Sequence, residues 1–195
     1  MSKIFIVMGK SATGKDTIFN ELKIGLEGHA KTVIGYTTRP IRDGEMNGVA
    51  YHFVDQKQLS KYQEEGKIIE RRSYDTVHGI WEYFTVDDGQ INLLDTNYIM
   101  LGTLASFRQI RNYYGEDKVC PVYLEVEDGL RLFRALSRER GQIAPKYKEL
   151  CRRYLADEED FSEDNLRELN IVKRYNNLDM GECLMEILTD IRKML

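Results

Sequence analysis

The sequence of 195 residues has little of what marks several classes of protein. Its three cysteines, Cys120, Cys151 and Cys183, stand far apart without a metal-ligand spacing, so we expect reduced thiols rather than disulfides or a zinc site. No run approaches the roughly 18 apolar residues that a membrane-spanning helix needs. The first apolar run begins so close to Met1 that we expect no signal peptide. Together these features predict a cytoplasmic protein.

The chain also lacks an excess of basic residues. It has 28 Lys and Arg against 32 Asp and Glu, which gives a formal net charge of -4. This balance argues against a general nucleic-acid or membrane surface, although it permits a local basic pocket. The length suits one domain with a buried sheet, and we expect no second independent domain.

The most informative segment is IFIVMGKSATGKDTIF, near the amino terminus. The apolar run over residues 4–8 predicts a buried parallel strand, and apolar residues at helical spacing follow Lys15. Between them, Gly9 is followed by four residues and then by Gly14 and Lys15, the spacing of a phosphate-binding loop. Such loops turn backbone N–H groups towards phosphates, and the next helix adds positive charge. The residues predicted to bind the phosphates of a nucleotide are Gly9, Ser11, Ala12, Thr13, Gly14, Lys15, Asp16 and Thr17.

The alternative for this segment is an ordinary strand-to-helix turn with a surface lysine. Asp16 is unusual in either case, because phosphate-binding loops normally have Ser or Thr at this position. A carboxylate is a good Mg²⁺ ligand, directly or through water, so we predict that Asp16 contacts Mg²⁺, which would neutralise the added charge. Otherwise Asp16 is only a favourable acidic residue in the first helical turn, and Thr17 supplies the hydroxyl.

The rest of the chain alternates between strand and helix patterns, and KTVIGYTTRP predicts a second strand whose end is marked by Pro40. INLLDT and VCPVYLEV are apolar runs that predict core strands, and the helical pattern LGTLASFRQIRNYYG lies between them. IIERRSY and WEYFTV alternate polar and apolar residues, which predicts a hairpin around DTVHG in a small, partly exposed sheet. The chain after residue 126 is mostly helical in pattern. We therefore predict an α/β fold with a parallel core sheet and with ligands at the carboxyl ends of its strands.

A second segment, YTTRPIRDGEMNGVAYHFV, indicates an anion site. Arg39 and Arg42 stand three residues apart, and Tyr51 follows on the next predicted strand. Two guanidinium groups and a phenol can converge on a phosphate dianion through charge-assisted hydrogen bonds. The alternative is that Arg39 and Arg42 are solvent-facing loop residues.

These two segments resemble the guanylate kinase family, whose members have Thr-Thr-Arg, a second arginine, Gly-Glu, Asn-Gly and Tyr in this order. The likeness continues more weakly through Glu70, LLD at residues 93–95, the arginine-rich region and RYNN. The resemblance implies a P-loop NTPase fold in a single guanylate-kinase-like domain. Its expected parts are a core (about 1–34, 91–125 and 165–195), an acceptor-binding lobe (about 35–90) and a helical lid (about 126–164).

The resemblance also implies roles for individual residues. Glu70 would accept hydrogen bonds from the N1–H and amino groups of guanine, whereas adenine presents an acceptor at N1. The acceptor nucleotide would be bound by Tyr36, Arg39, Arg42, Tyr51, Glu70, Thr85 and Asp95. The catalytic residues would be Lys15, Arg39, Arg134, Arg138 and Arg153, of which the last three would close over the transferring phosphoryl group. The alternatives are solvated helix residues for the lid arginines, an exposed strand charge for Glu70 and a strand-end cap for Asp95.

The implied reaction is transfer of the γ-phosphoryl group of ATP to GMP or dGMP, with Mg²⁺ as cofactor. We expect nucleotides as the partners, no nucleic acid or membrane, and a monomer or homodimer. Gly35 stands where the family commonly has serine, and Asn97 lies near a position that is often acidic, so a kinase for another nucleoside monophosphate is an alternative. A second alternative is a non-catalytic guanylate-kinase-like binding module.

Overall fold

The computed structural model describes residues 2–76 and 79–195. Within these ranges the chain forms nine strands in two sheets and seven helices. The strands are β1 (Ile4–Gly9), β2 (Ala30–Thr32), β3 (Tyr36–Thr37), β4 (His52–Phe53), β5 (Ile68–Thr76), β6 (Gly79–Val86), β7 (Asn97–Leu101), β8 (Val119–Glu125) and β9 (Tyr175–Asn176). The helices are α1 (Lys15–Gly25), α2 (Gln56–Glu64), α3 (Leu104–Tyr114), α4 (Asp128–Arg140), α5 (Tyr147–Asp160), α6 (Glu163–Glu168) and α7 (Met180–Met194).

The larger sheet is parallel and has the strand order β2-β7-β1-β8-β9. Strand β1 is its central strand, and all six of its residues are buried. Ile4 and Ile6 face one hydrophobic cluster, which includes α3, while Phe5 and Val7 face the other, which includes α1 and α7. A strand covered on both faces needs apolar residues at every position, which explains the continuous run. The predicted α/β fold with a parallel core is confirmed.

The smaller sheet has the order β4-β3-β6-β5. Its strands β5 and β6 pair antiparallel, as the alternating pattern predicted, although residues 77 and 78 of the predicted turn lie outside the described residues. Phe84 and Leu59 pack together on one face, where α2 covers the sheet. Gln109 of α3 accepts a hydrogen bond from the Arg71 N–H at 3.0 Å, which ties β5 to the larger layer.

Two of the sequence-based strand predictions are wrong in detail. The segment KTVIGYTTRP, predicted as one strand, is divided between β2 in the larger sheet and β3 in the smaller one. The segment INLLDT is not a strand, because β7 starts only at Asn97. Polar groups close a turn there: the Asn92 side chain accepts from the Leu94 N–H at 3.1 Å, and Leu94 is exposed.

The helices after residue 126 follow the predicted pattern, with α6 as an additional short helix before β9. Asp179 caps α7 by accepting a hydrogen bond from the Glu182 N–H at 2.9 Å. No helix within the described ranges combines the length and apolar character needed to cross a membrane.

The packing of α1 against the sheet can be tested with two isoleucines of the same helix. Ile18 is fully buried, whereas Ile24 is 68% exposed. We expect Ile18→Ala to lower the free energy of unfolding by about 2–5 kcal/mol, because it leaves a cavity under the sheet. The matched control Ile24→Ala should change it by no more than about 0.5 kcal/mol. Urea unfolding measures both, and equal effects would contradict the packing described here.

Candidate active site

The segment between β1 and α1, residues 10–14, forms a loop at the carboxyl edge of the larger sheet. Gly14 precedes α1 in the left-handed conformation, with φ of 84°, and Ala12 also has a positive φ of 64°. Gly14 is the N-cap residue and has no side chain, so it makes no capping hydrogen bond to the first N–H groups of α1. Uncapped helix N-termini present partial positive charge, so this loop is suited to bind an anion.

Close packing holds the loop in this shape. The Thr13 hydroxyl donates to the Lys10 carbonyl at 2.9 Å, and the Asn177 amide donates to the Thr13 carbonyl at 2.7 Å. A Cβ at Gly14 would lie 2.5 Å from Nδ2 of Asn177, and a Cβ at Gly9 would lie 2.7 Å from the Leu124 carbonyl oxygen. Both glycines of the motif are therefore required by close approach of their neighbours.

Lys15 and Asp16 follow the loop on the first turn of α1. Nζ of Lys15 lies 3.7 Å from Oδ2 of Asp16, and the Asp16 side chain is 75% exposed. The carboxylate is thus free to take part in binding a cation. The described residues contain no group of three or more His, Cys, Asp or Glu arranged as a metal site. A Mg²⁺ ion at Asp16 would therefore need further oxygen ligands from phosphates and water.

Helix α4 contributes a buried arginine that the sequence analysis did not assign. Arg131 is 1% exposed, and its guanidinium donates to the Ser11 carbonyl at 3.2 Å and to Asp128 at 2.8 Å. It also pairs with Glu158 of α5 and lies 4.8 Å from the centroid of the Tyr154 ring. Arg131 therefore joins both helices of the expected lid to the phosphate-binding loop.

A second contact between α5 and the loop involves a backbone donor. The Ser11 N–H donates to the Asp157 carboxylate at 2.6 Å. Beside it, Nζ of Lys10 lies 2.8 Å from Glu158. An acidic side chain of α5 thus accepts from a loop N–H group that is suited to bind an anion.

The smaller sheet presents a polar face opposite to the face that α2 covers. The β5–β6 register pairs Glu70 with Thr85 and Arg72 with Tyr83, and alternate strand residues share a face. The Thr85 hydroxyl donates to Oε1 of Glu70 at 2.9 Å, and both residues are 1% exposed. The structure therefore brings together the two residues that the resemblance assigned to the base.

Arg39 lies beside this face and is 3% exposed. Its guanidinium makes two hydrogen bonds to Glu45, at 2.9 Å and 2.8 Å, and lies 5.6 Å from the centroid of the Tyr51 ring. Its buried Nε has no hydrogen-bond partner among the described residues. Tyr83 packs edge-on against Tyr51, with 5.6 Å between ring centroids. These residues surround one buried guanidinium donor that lacks a hydrogen-bond partner within the described residues.

Electrostatic interactions show that the loop and this polar face lie near each other. Burial raises the pKa of Tyr51, and the neighbouring Tyr83 and the negative charge of Asp16 raise it further. The positive charges of Arg72 and Arg39 act in the opposite direction. Asp16 belongs to the larger layer and Tyr51 to the smaller one, so the phosphate-binding loop and this polar face are close enough to interact electrostatically.

Two predicted acceptor-binding residues are placed elsewhere. Tyr36 is 7% exposed and lies on the α2 side, stacked on Phe84 with centroids 5.5 Å apart, because its register partner Phe84 faces that core. Asp95 lies in the turn before the amino end of β7. Since β1 and β7 are parallel, this turn is at the edge opposite to the phosphate-binding loop. These two assignments are corrected.

The other predicted arginines differ in their surroundings. Arg134 donates to the Asn177 carbonyl at 3.1 Å, close to the phosphate-binding loop. Arg153 is 56% exposed and pairs with Glu149, while Arg138 is exposed. Arg42 is exposed, and its backbone N–H donates to Glu45 at 2.8 Å. Only Arg134 of this group therefore contacts a residue that supports the loop.

Sequence reasoning missed Arg131, Asn177 and Tyr83. Arg131 is one of several arginines in LRLFRALSRER, and no local signal separates a buried one from a solvated one. Asn177 lies in RYNN, which carried a resemblance without a role. Tyr83 could have been found, because it lies two residues before Thr85 and so shares its face in a strand.

Comparison with known proteins bears on this arrangement. Residues 1–81 match the family model described as guanylate kinase. A guanylate kinase of Desulfotalea psychrophila is 38% identical over 68 residues, which are 35% of this chain and 33% of that protein. A guanylate kinase of Neisseria gonorrhoeae is 43% identical over 56 residues, which are 29% of this chain and 27% of that protein. Residues 1–81 are therefore similar to the corresponding part of guanylate kinases.

The matched segments span a third or less of the length of these curated relatives. The family match includes the phosphate-binding loop, Arg39, Tyr51 and Glu70, and it ends before Thr85 and the lid. The crystal structure of guanylate kinase from Anaplasma phagocytophilum aligns with 99% of this chain and 86% of that chain, with a TM-score of 0.64 and 19% identity. This likeness shows the fold over nearly all of the described chain, and the parallel sheet with its phosphate-binding loop fits a P-loop NTPase fold.

The Arg39–Glu45 pair predicts a pH dependence of stability. Hydrogen bonds from Arg39 lower the pKa of Glu45 from 4.5 to about 2, burial opposes the shift, and the Arg42 N–H adds to it. A depressed carboxyl pKa stabilises the fold above its unfolded value, and this contribution is lost as the pH falls towards the folded value. We expect the parent to lose about 1–2 kcal/mol more unfolding free energy than Glu45→Gln between about pH 5 and pH 3.

Urea unfolding at a series of pH values measures this difference. Parallel stability curves for the parent and Glu45→Gln would contradict the ion pair at Arg39.

Proposed function

We propose that the chain is a nucleoside monophosphate kinase that transfers the γ-phosphoryl group of ATP to GMP or dGMP, giving ADP and GDP or dGDP. The observation that supports this most directly is the buried Glu70–Thr85 hydrogen bond beside the buried Arg39, on a polar surface near the phosphate-binding loop. A phosphate loop alone would fit many nucleotide hydrolases. The second surface provides a place for an acceptor.

Each part of the candidate site has a role in this proposal. Lys15 and the loop N–H groups hold the phosphates of ATP, and Arg39 with Tyr51 holds the phosphate of the acceptor. Glu70 and Thr85 bind the acceptor base. Direct in-line transfer needs no covalent enzyme intermediate, since the chain acts by positioning and by stabilising charge. Arg138 and Arg153 are exposed, so they can contact the transferring phosphoryl group only if the lid helices move them towards the phosphate-binding loop.

Mg²⁺ fits the proposed site because Asp16 offers an exposed carboxylate beside Lys15. When bound, the ion would neutralise phosphate charge during transfer. Asp16 would hold it directly or through water, and Thr17 is the neighbouring hydroxyl. The proposed partners are therefore ATP and a nucleoside monophosphate. Three further statements stay predictions: that the protein is cytoplasmic, that it is a monomer or a homodimer, and where the core, the acceptor-binding lobe and the lid begin and end.

The first test is ADP production from Mg·ATP with GMP, dGMP, AMP, CMP and UMP supplied separately, and with a control that lacks an acceptor. We expect activity with GMP and dGMP, because their bases offer donors to Glu70. Lys15→Ala is the control for the active loop and should reduce turnover by about 10²-fold or more, since it removes phosphate stabilisation.

Activity with a different nucleoside monophosphate alone would contradict GMP and dGMP as the acceptors but would still support a kinase. No ADP with any acceptor, together with binding of a nucleotide, would favour the non-catalytic module.

Asp16 makes a separate prediction about the metal. We expect Asp16→Ser to leave the unfolding curve unchanged, because the side chain is exposed. The Mg²⁺ concentration for half-maximal activity should shift, because the ligand changes from a carboxylate to a hydroxyl. An exchange at Asn20, which is also exposed, is the matched control on the same helix: Asn20→Ser. Mg²⁺ titrations that coincide for the parent and Asp16→Ser would exclude a metal contact.

A further inference from the structure

Helix α5 lacks the buried face that normally holds a helix to its core. Among residues 147–160, all of which the structure describes, none is buried, and Leu155 is 68% exposed. Helices α1, α3 and α7 each bury three or more residues. A helix of 14 residues is only marginally stable in water unless packing supports it. The docking of α5 therefore depends on its polar contacts.

These polar contacts concentrate on two successive carboxylates near the end of α5. Asp157 accepts a hydrogen bond from the Ser11 N–H at 2.6 Å, and Glu158 pairs with Nζ of Lys10 at 2.8 Å. Arg131 of α4 also pairs with Glu158, and its Nη1 lies 3.8 Å from Oδ2 of Asp157. The two carboxylates thus bind donors of the phosphate-binding loop and of the adjacent helix.

The donors that hold α5 are also suited to a phosphate. The N–H groups of the loop and the charge of Lys10 attract both kinds of anion, because carboxylates and phosphates accept the same charge-assisted hydrogen bonds. At the Ser11 N–H, the bound anion is a carboxylate of the protein itself. Asp157 therefore stands in the position of an anionic ligand.

A phosphate at this N–H group and Asp157 exclude each other. Two anions in hydrogen-bond contact with one donor lie so close that they repel each other. The cluster also contains Asp128, which lies 3.6 Å from Nζ of Lys10. Three carboxylates thus face two cations, Lys10 and Arg131, so the cluster has no spare positive charge for a further anion. Binding of a polyphosphate there requires Asp157 to leave.

The chain directly after α5 provides a fixed point for such a movement. Phe161 is 5% exposed and stacks on Tyr123 of β8, with 5.6 Å between the ring centroids. Ser162 then caps α6 by accepting a hydrogen bond from the Asn165 N–H. This anchor lies outside the contacts with the loop, so α5 can leave the loop while Phe161 stays in the core.

We propose that Asp157 and Glu158 form a latch that holds α5 on the phosphate-binding loop in the ligand-free protein, and that a polyphosphate bound at the loop opens it. This α5 latch rests on the proposed function only in that ATP is its expected ligand, since inorganic tripolyphosphate carries the same anionic groups. A lid that simply closed on its ligand would respond in the opposite way, because bound phosphates would then add contacts to α5.

Hydrogen exchange of the backbone amides of residues 147–160 tests the direction of this change. The protein is measured alone, with Mg·ATP and with inorganic tripolyphosphate. We expect either ligand to accelerate exchange in α5 by about tenfold or more, because a released helix of this length frays. Residues 180–194 of α7, which pack on the core, are the internal control and should not exchange faster. Slower or unchanged exchange of α5 would overturn the latch.

Asp157→Asn tests the latch from the side of the protein. The amide keeps the shape of the side chain but loses its charge, and a charge-assisted hydrogen bond is roughly twice as strong as a neutral one. Exchange of α5 in the ligand-free variant should therefore be about three- to tenfold faster than in the parent, and kcat/KM for ATP should rise by a similar factor. A role of Asp157 in structure alone would instead lower kcat/KM.

The matched control is Asp160→Asn, which removes the same charge from the same helix. Asp160 is exposed, and its carboxylate forms no ion pair within the described residues. The control should leave both the exchange of α5 and kcat/KM for ATP unchanged. Equal effects of the two exchanges, or no effect of Asp157→Asn, would overturn the role of Asp157.

The same measurements separate this inference from the kinase proposal. Faster exchange of α5 with tripolyphosphate, together with no ADP formation with any acceptor, would support the latch and reject the kinase. ADP formation together with slower exchange of α5 in Mg·ATP would support the kinase and reject the latch.

Discussion

Strand β1 is hydrogen-bonded along both edges, to β7 and to β8, and the site depends on this double pairing. A parallel strand in the middle of a sheet has no freedom to shift, because its apolar residues fill the cores on both faces. The loop that follows Gly9 must therefore emerge at the carboxyl edge, between the ends of its neighbours. Leu124 at the end of β8 and Asn177 after β9 then lie close enough to shape the loop.

Local signals were enough to predict much of this fold. The run over residues 4–8 and the glycine spacing after it belong to one continuous segment, so strand, loop and helix could be read together. The strand prediction for INLLDT is wrong because composition does not show whether Asn92 and Asp95 lie in a strand or close a turn. The prediction of one strand over KTVIGYTTRP is wrong because a run of β-forming residues does not indicate where the chain leaves one sheet and enters another.

The site was less accessible from sequence, since it depends on which face each residue takes. Glu70 and Thr85 are in contact only because β5 and β6 pair in this register. Tyr36 pairs with Phe84 and therefore lies on the opposite face of the sheet. The burial of Arg131 depends on acidic groups from two different helices, one of them distant in sequence. Such long-range pairings have no signature in the local pattern of arginines.

The hydrogen bond from the Ser11 N–H to Asp157 has a consequence for nucleotide affinity. An anion that uses this N–H group must compete with a carboxylate that is already attached to the protein. Its apparent Kd is then the intrinsic Kd divided by the fraction of molecules in which Asp157 is displaced. If the contact is favoured by about 1.4 kcal/mol, apparent affinity is roughly tenfold weaker. Helix α5 can thus set the concentration at which an anion fills the loop, without any change in the loop itself.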